Sequence, residues 1–164
     1  MYKLEERRLA QALAAHAVRS IEHVGSTAIP GMTAKPVIDI MVGMAGMTNV
    51  PGRNSELWSN LGYVWGHGGD DEKGWMFFIK RDIHGRRLIH LHIVQYEGDF
   101  WKRMVLFRDA LRADPVKAED YRRLKVALAD TVGRNRLQYL DGKAAFVAGV
   151  VAGAEARYTE NDTR

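Results

Sequence analysis

Three sets of residues have the types and spacing to do chemistry. Gly25-Ser26 ends the run Ile21-Glu22-His23-Val24, and Asp39 follows inside Pro36-Val37-Ile38-Asp39-Ile40-Met41-Val42. A Gly-Ser turn after a strand exposes backbone N–H groups and a hydroxyl, with no Cβ on the glycine to obstruct a phosphate. Alone, the same dipeptide is also an ordinary turn. Asp39 is the sharper signal, because a carboxylate among Val37, Ile38, Ile40 and Val42 needs a cation, a metal or several hydrogen-bond donors around it. The second set is His90-Leu91-His92. In a strand the two imidazoles share one face, where both can ligate one metal or one can orient the other. A polar strand face hydrogen-bonded to its neighbours would show the same pattern. The third set is cationic: Lys125 follows Tyr121 by four residues and Lys143 follows Tyr139 by four, the spacing of neighbours on a helix. Such lysines either reach into a cleft while their stems pack on apolar surface or snorkel to water. His23, beside Gly25 on a different strand, reads as structural, with a place in the histidine cluster as its alternative.

The elements that must position these residues can be traced along the chain. Leu9, Ala10, Leu13, Ala14 and Ala17 lie on one face of a helix over residues 2–19, and Ser20 to Val24 reads as a strand. Gly25 to Gly31 is a small-residue turn, and Pro36 to Gly43 is a strand that tolerates its proline at the first position. Ser55 caps a short helix carrying Leu57, Trp58 and Leu61 inward, stopped by Gly62. A strand starts near Tyr63, and His67 to Gly74 is a polar loop with the composition of a lid. Trp75 to Lys80 and Arg87 to Gln95 form a hairpin through Asp82-Ile83-His84-Gly85. Three helices follow, with Asp114-Pro115 between the first two and the second ending near Gly133; the tail after Ala156 is expected to fray. Because strands and helices are segregated rather than alternating, the expected class is α+β: a small mixed sheet flanked by helices, with a C-terminal helical cap. One domain spanning residues 1–164 is expected, with a sheet-containing core over about 1–95 and helices over about 99–157.

Composition narrows the function classes. The chain has 164 residues and no cysteine, so disulfides, thiolate zinc sites and a cysteine nucleophile are excluded. Its net charge of +4, from 24 Lys+Arg against 20 Asp+Glu, is interleaved with acids, as in Leu4-Glu5-Glu6-Arg7-Arg8. Interleaving suits a small anion better than a nucleic acid. No apolar run approaches the roughly 20 residues that span a bilayer, and Met1 to Arg8 is charged, so no membrane partner is expected and the cytoplasm is the expected compartment.

Together these segments resemble the GrpB-like family of the nucleotidyltransferase-fold superfamily. The resemblance is carried by Ile21 to Gly31, by Ala34-Lys35-Pro36-Val37-Ile38-Asp39-Ile40, by Arg87 and His90-Leu91-His92, by Leu106-Phe107-Arg108-Asp109 with Leu111-Arg112, by Tyr121 with Leu124-Lys125, and by Tyr139 with Gly142-Lys143. It implies the small mixed sheet, a phosphate role for Gly25, Ser26 and Thr27, and a metal-ligand role for Asp39. It also implies phosphate clamps at Lys125 and Lys143, and a Mg2+- or Mn2+-dependent transferase acting on a nucleotide or another phosphate-bearing small molecule. The chain departs from that pattern at Met41, which stands where a second carboxylate is expected, and at His90 and His92, which stand where a third acid is expected. A thioether is a poor ligand for a hard cation. Three readings therefore stay open. One is nucleotidyl transfer to a small acceptor, with Asp39, His90 and His92 at the catalytic centre. Another is a transition-metal enzyme of different chemistry, with Asp39, His90 and His92 as ligands. The last is a nucleotide- or metabolite-binding module without catalysis.

Overall fold

The computed structural model describes residues 1–67, 74–132 and 135–162. In chain order the elements are α1 (Tyr2–Ala12), β1 (Val18–Val24), a 3-10 turn (Ser26–Ala28), β2 (Ile38–Met44), a second 3-10 turn (Met47–Asn49), α2 (Glu56–Asn60), β3 (Tyr63–Trp65), β4 (Trp75–Arg81), β5 (Arg87–Gln95), α3 (Asp99–Ala113), α4 (Pro115–Val132) and α5 (Arg136–Asp162). The five strands form one sheet in the order β1-β2-β5-β4-β3. β2 and β5 run parallel and the other neighbours antiparallel, giving a mixed sheet in an α+β order.

Strand alternation gives this sheet two unlike faces. On one, Ile40, Val42 and Met44 of β2, Ile89, Leu91 and Ile93 of β5, and Met76 and Phe78 of β4 are buried with Leu9 and Leu13 from the N-terminal segment, Trp58 of α2 and Tyr63 of β3. The other face carries Asp39, Met41 and Gly43 of β2 beside His90 and His92 of β5. At Gly43 a side chain would run into the Trp101 and Tyr96 rings, so glycine is what lets those aromatics lie against the strand.

Local chemistry sets several boundaries. Ser55 caps α2 by accepting from the Leu57 N–H, and Gly62 leaves the helix at φ +83°. Asp82 accepts from the backbone N–H groups of His84 and Arg86 and so closes the β4–β5 hairpin. Asp114 accepts from the N–H groups of Val116 and Lys117 at the start of α4. The first helix ends at Ala12 rather than at residue 19. Alanines favour continuing it, but Val18 pairs with Met44 and Ser20 with Gly43, so sheet formation overrides helix propensity. β2 begins at Ile38, two residues after Pro36, because the Val37 N–H turns back to the Lys35 carbonyl. At the other end α5 continues through Asp162, past the expected fraying point. Of the loop His67–Gly74, residues 68–73 lie outside the described residues. Among the described residues no helix is long and apolar enough to cross a membrane.

The chain divides into two compact units: residues 1–28 with 34–102, and Ile29–Thr33 with the chain from Arg103 on. The second unit has its own core of Ile29, Phe107, Ala110, Leu111, Tyr121, Val150, Val151 and Ala154. Tyr121 meets the Phe107 ring edge-on at 5.1 Å and stacks on Phe146 at 5.3 Å.

In the first unit a charged residue of α1 is buried: Glu5 is 5% exposed. Its carboxylate accepts from the Tyr63 hydroxyl at 3.0 Å and from Lys80 Nζ at 2.8 Å, and Arg8 lies 3.3 Å away. Burial first, then the Glu5 charge, raises the Tyr63 hydroxyl far above its ordinary value, so it remains a donor. This node ties α1 to β3 and β4. Glu5→Ala should destabilise the protein by about 3–5 kcal/mol in urea unfolding, because it leaves Lys80 and the tyrosine hydroxyl without their acceptor. Lys3→Ala, which breaks the exposed Lys3–Glu6 pair, should leave the midpoint unchanged.

Candidate functional site

The site is assembled by register. β2 and β5 place Asp39 opposite His90 and Met41 opposite His92, while β1 places Val24 opposite Asp39 and Glu22 opposite Met41. β4 adds Phe77 opposite His92 and Ile79 opposite His90. Paired residues point to the same side of a sheet, so Asp39 and both histidines converge on one face. His90 Nδ1 lies 3.0 Å from Asp39 Oδ1 and His92 Nε2 lies 4.0 Å from the same oxygen. Asp39 retains 27% of its side-chain exposure, against 18% for His90 and 12% for His92. The carboxylate is therefore the part of this cluster most open to an approaching molecule.

The second oxygen of Asp39 faces the turn. A Cβ on Gly25 would collide with Asp39 Oδ2, and the glycine holds φ +71°, which a side chain rarely tolerates. Two independent constraints thus require glycine beside the acid. Ser26 opens the 3-10 turn that follows, closed by the Ala28 N–H on the Gly25 carbonyl. Thr27 is placed differently: its hydroxyl meets His23 Nε2 at 3.0 Å, and His23 stacks on Tyr2 with ring centres 4.8 Å apart. Because His23 pairs with Ile40, it belongs to the opposite face of the sheet from Asp39.

Lys125 and Lys143 lie in the second unit. Lys125 Nζ donates to the Thr33 carbonyl at 2.6 Å and sits 5.6 Å from the Tyr121 ring centre; Lys143 Nζ sits 4.5 Å from that of Tyr139. The four-residue spacing is realised in both as a cation held on an aromatic ring.

An aromatic wall surrounds His92. Trp75 stacks on it with planes 12° apart and centres 6.0 Å apart, Phe77 lies at 5.0 Å and Phe100 at 5.7 Å. Trp75 Nε1–H donates to His92 Nδ1 at 3.2 Å. Burial pushes the His92 imidazole down to about 4; the Asp39 charge pulls it back up and His90 adds to the lowering. These aromatics, and Glu22 on the same face, were not singled out by the sequence. Alternation alone put Glu22 in phase with Val24 and Trp75 in phase with Phe77, but nothing local told which strands would be neighbours.

Comparison with known proteins shows the family. A sequence model of the family described as GrpB protein matches residues 1–152. The chain belongs to the GrpB family. It is 33% identical to the glutamate-rich protein GrpB of Alkalihalophilus pseudofirmus, over 87% of this chain and 83% of that protein. It is 34% identical to the UPF0157 protein YqkA of Bacillus subtilis over 78% of this chain, a stretch that makes up 36% of that longer relative. The crystal structure of conserved protein GrpB from Enterococcus faecalis superposes with a TM-score of 0.77 at 28% identity, covering 96% of this chain and 92% of that one.

The donors can be tested against the metals expected for such a fold. A pair of magnesium ions asks for several hard oxygens. Asp39 lies within 4 Å of both histidines, Met41 offers sulfur, and Glu22 accepts from the Ser20 hydroxyl at 2.8 Å. For a transition metal the donor types suit better. Yet His90 Nδ1 is engaged by Asp39 and His92 Nδ1 by Trp75. Among the described residues no three His, Cys, Asp or Glu are arranged to hold an ion. The residues do not fit a resident metal.

The depressed His92 makes stability depend on pH. Between about 4 and 6.5 the unfolded chain binds a proton at this position and the folded chain does not, so stability falls as pH drops through that window and is unaffected above it. The full difference is of order 3 kcal/mol. His92→Asn keeps an acceptor for Trp75 but does not titrate. Urea unfolding at a series of pH values should therefore show a steeper acid-side loss for the unmodified protein than for the variant; parallel curves would contradict the assignment.

Proposed function

We propose that this GrpB-family chain is an enzyme acting on a nucleotide or another phosphate-bearing small molecule, with nucleotidyl transfer to a small acceptor as the specific reaction. The observation that carries this reading is the contact between Gly25 and Asp39. A turn with the chemistry of a phosphate cradle is pressed against the partly exposed Asp39 carboxylate, so close that no other residue fits. The resemblance of the Gly25-Ser26 and Asp39 segments to the nucleotidyltransferase-fold superfamily, read from the residue order, supports the same reading.

In this reading the backbone N–H groups of the turn and the Ser26 hydroxyl receive phosphate oxygens. Asp39 Oδ2 faces the same place and accepts the proton of the attacking acceptor hydroxyl as that oxygen bonds to phosphorus and pyrophosphate leaves. His90 holds the other carboxylate oxygen and fixes the orientation of the acid. A carboxylate beside a polyphosphate is repelled by it, so the nucleotide is taken as its Mg2+ or Mn2+ complex, the cation arriving with the substrate.

The test is pyrophosphate release from each NTP with Mg2+ or Mn2+ and a panel of small hydroxyl and amine acceptors. Asp39→Asn should lower turnover at least a hundredfold while leaving the fold intact. Gly25→Ala should remove the increase in melting temperature that the nucleotide produces. Nucleotide binding without any Asp39-dependent turnover would leave a binding module; no binding at all would end the proposal.

A further inference from the structure

The indole N–H of Trp75 settles which nitrogen of His92 carries the proton. Indole is a donor only, so the His92 Nδ1 it reaches must be a bare acceptor. A neutral imidazole with a bare Nδ1 carries its hydrogen on Nε2, and that is the nitrogen turned toward Asp39 Oδ1 at 4.0 Å. His90 is the mirror case. An ionised carboxylate only accepts, so the nitrogen 3.0 Å from Asp39 is an Nδ1–H donor. Its Nε2, buried and without a hydrogen-bond partner among the described residues, is then the bare position.

We propose that Trp75 is a positioning residue that locks His92 as its Nε2–H tautomer. The two histidines then carry their protons on opposite ring nitrogens: His90 donates to Asp39 Oδ1, whereas His92 Nε2–H, 4.0 Å from that oxygen and so not bonded to it, is kept as a donor for a phosphate oxygen brought beside it, and His92 acts neither as a metal ligand nor as a base. A metal ligated by His92 Nε2 needs the proton moved to Nδ1, where a bound imidazole normally donates to an acceptor. Trp75 presents a donor there instead. Stacking against Trp75 and contact with Phe77 and Phe100 hold the ring against rotation, and the side chain is 12% exposed. The role of His92 toward phosphate rests on the function proposed above; its tautomer does not.

The experiment is long-range 1H–15N correlation on the 15N-labelled full chain at neutral pH. The expected result is the Nε2–H pattern for His92, with a coupling across the hydrogen bond from Trp75 Nε1 to His92 Nδ1. A proton on His92 Nδ1 overturns the proposal. Trp75→Phe keeps the ring and removes the N–H, and should convert His92 to a mixture of tautomers; an unchanged pattern also overturns it. Should that variant fail to fold, the coupling in the unmodified protein decides alone. Zn2+ added by itself should leave the His92 signals in place, and conversion of the ring to Nδ1–H on adding Zn2+ would reject the proposal. Pyrophosphate release measured on the same samples separates the two claims: a locked tautomer without turnover removes the transferase reading only, whereas turnover with the opposite tautomer removes this one only.

Discussion

An acid in the otherwise apolar second strand has to be solvated by the protein itself, and the arrangement of this face follows from that requirement. Asp39 is flanked by β1 on one side and β5 on the other. Water reaches it only in part. The strand on one side supplies an imidazole in register at hydrogen-bonding distance; the other side leads directly into a turn whose first residue has no side chain. Each carboxylate oxygen therefore has a different environment, one held by histidine and one facing the Gly25 backbone. That asymmetry makes the acid a directional group rather than a buried charge awaiting neutralisation.

The histidines are distinguished in turn by what lies behind them. They stand two residues apart on one strand, yet His90 addresses the carboxylate through Nδ1 and His92 turns Nε2 toward it. The difference comes from β4 and the start of α3, where Trp75 and Phe100 box in His92. The opposite face of the same strands shows the contrasting solution. There Glu5 is taken fully out of water and satisfied by Tyr63, Lys80 and Arg8, a closed arrangement that fastens a helix and leaves nothing for a ligand. One sheet thus carries a structural acid on one side and an accessible one on the other.

Much of this was legible in the residue order, and the rest was hidden for identifiable reasons. Asp39 among Val37, Ile38, Ile40 and Val42 announced itself through the mismatch between its charge and its neighbours, and the His-x-His alternation put both rings on one face. The Asp39–His90 contact spans 51 positions and depends on a parallel pairing of β2 with β5 that no local pattern encodes. The Trp75 bond to His92 is hidden for the same reason. The end of α1 is not legible locally, because Ala14, Ala15 and Ala17 favour a helix whereas Val18 is claimed by Met44 across the sheet. Thr27, grouped with Ser26 by adjacency, is turned by one step of the 3-10 geometry toward His23.

The five residues Ile29–Thr33 leave the first unit directly after the Ser26–Ala28 turn, contribute Ile29 and Met32 to the second unit's interior, and return to begin β2. The polypeptide therefore passes between the units three times rather than once. Severing it after Lys102 would not release a clean sheet fragment, since the stub would display two stranded hydrophobes next to the glycine turn. The same five residues thus join the Ser26–Ala28 turn covalently to the second unit's interior.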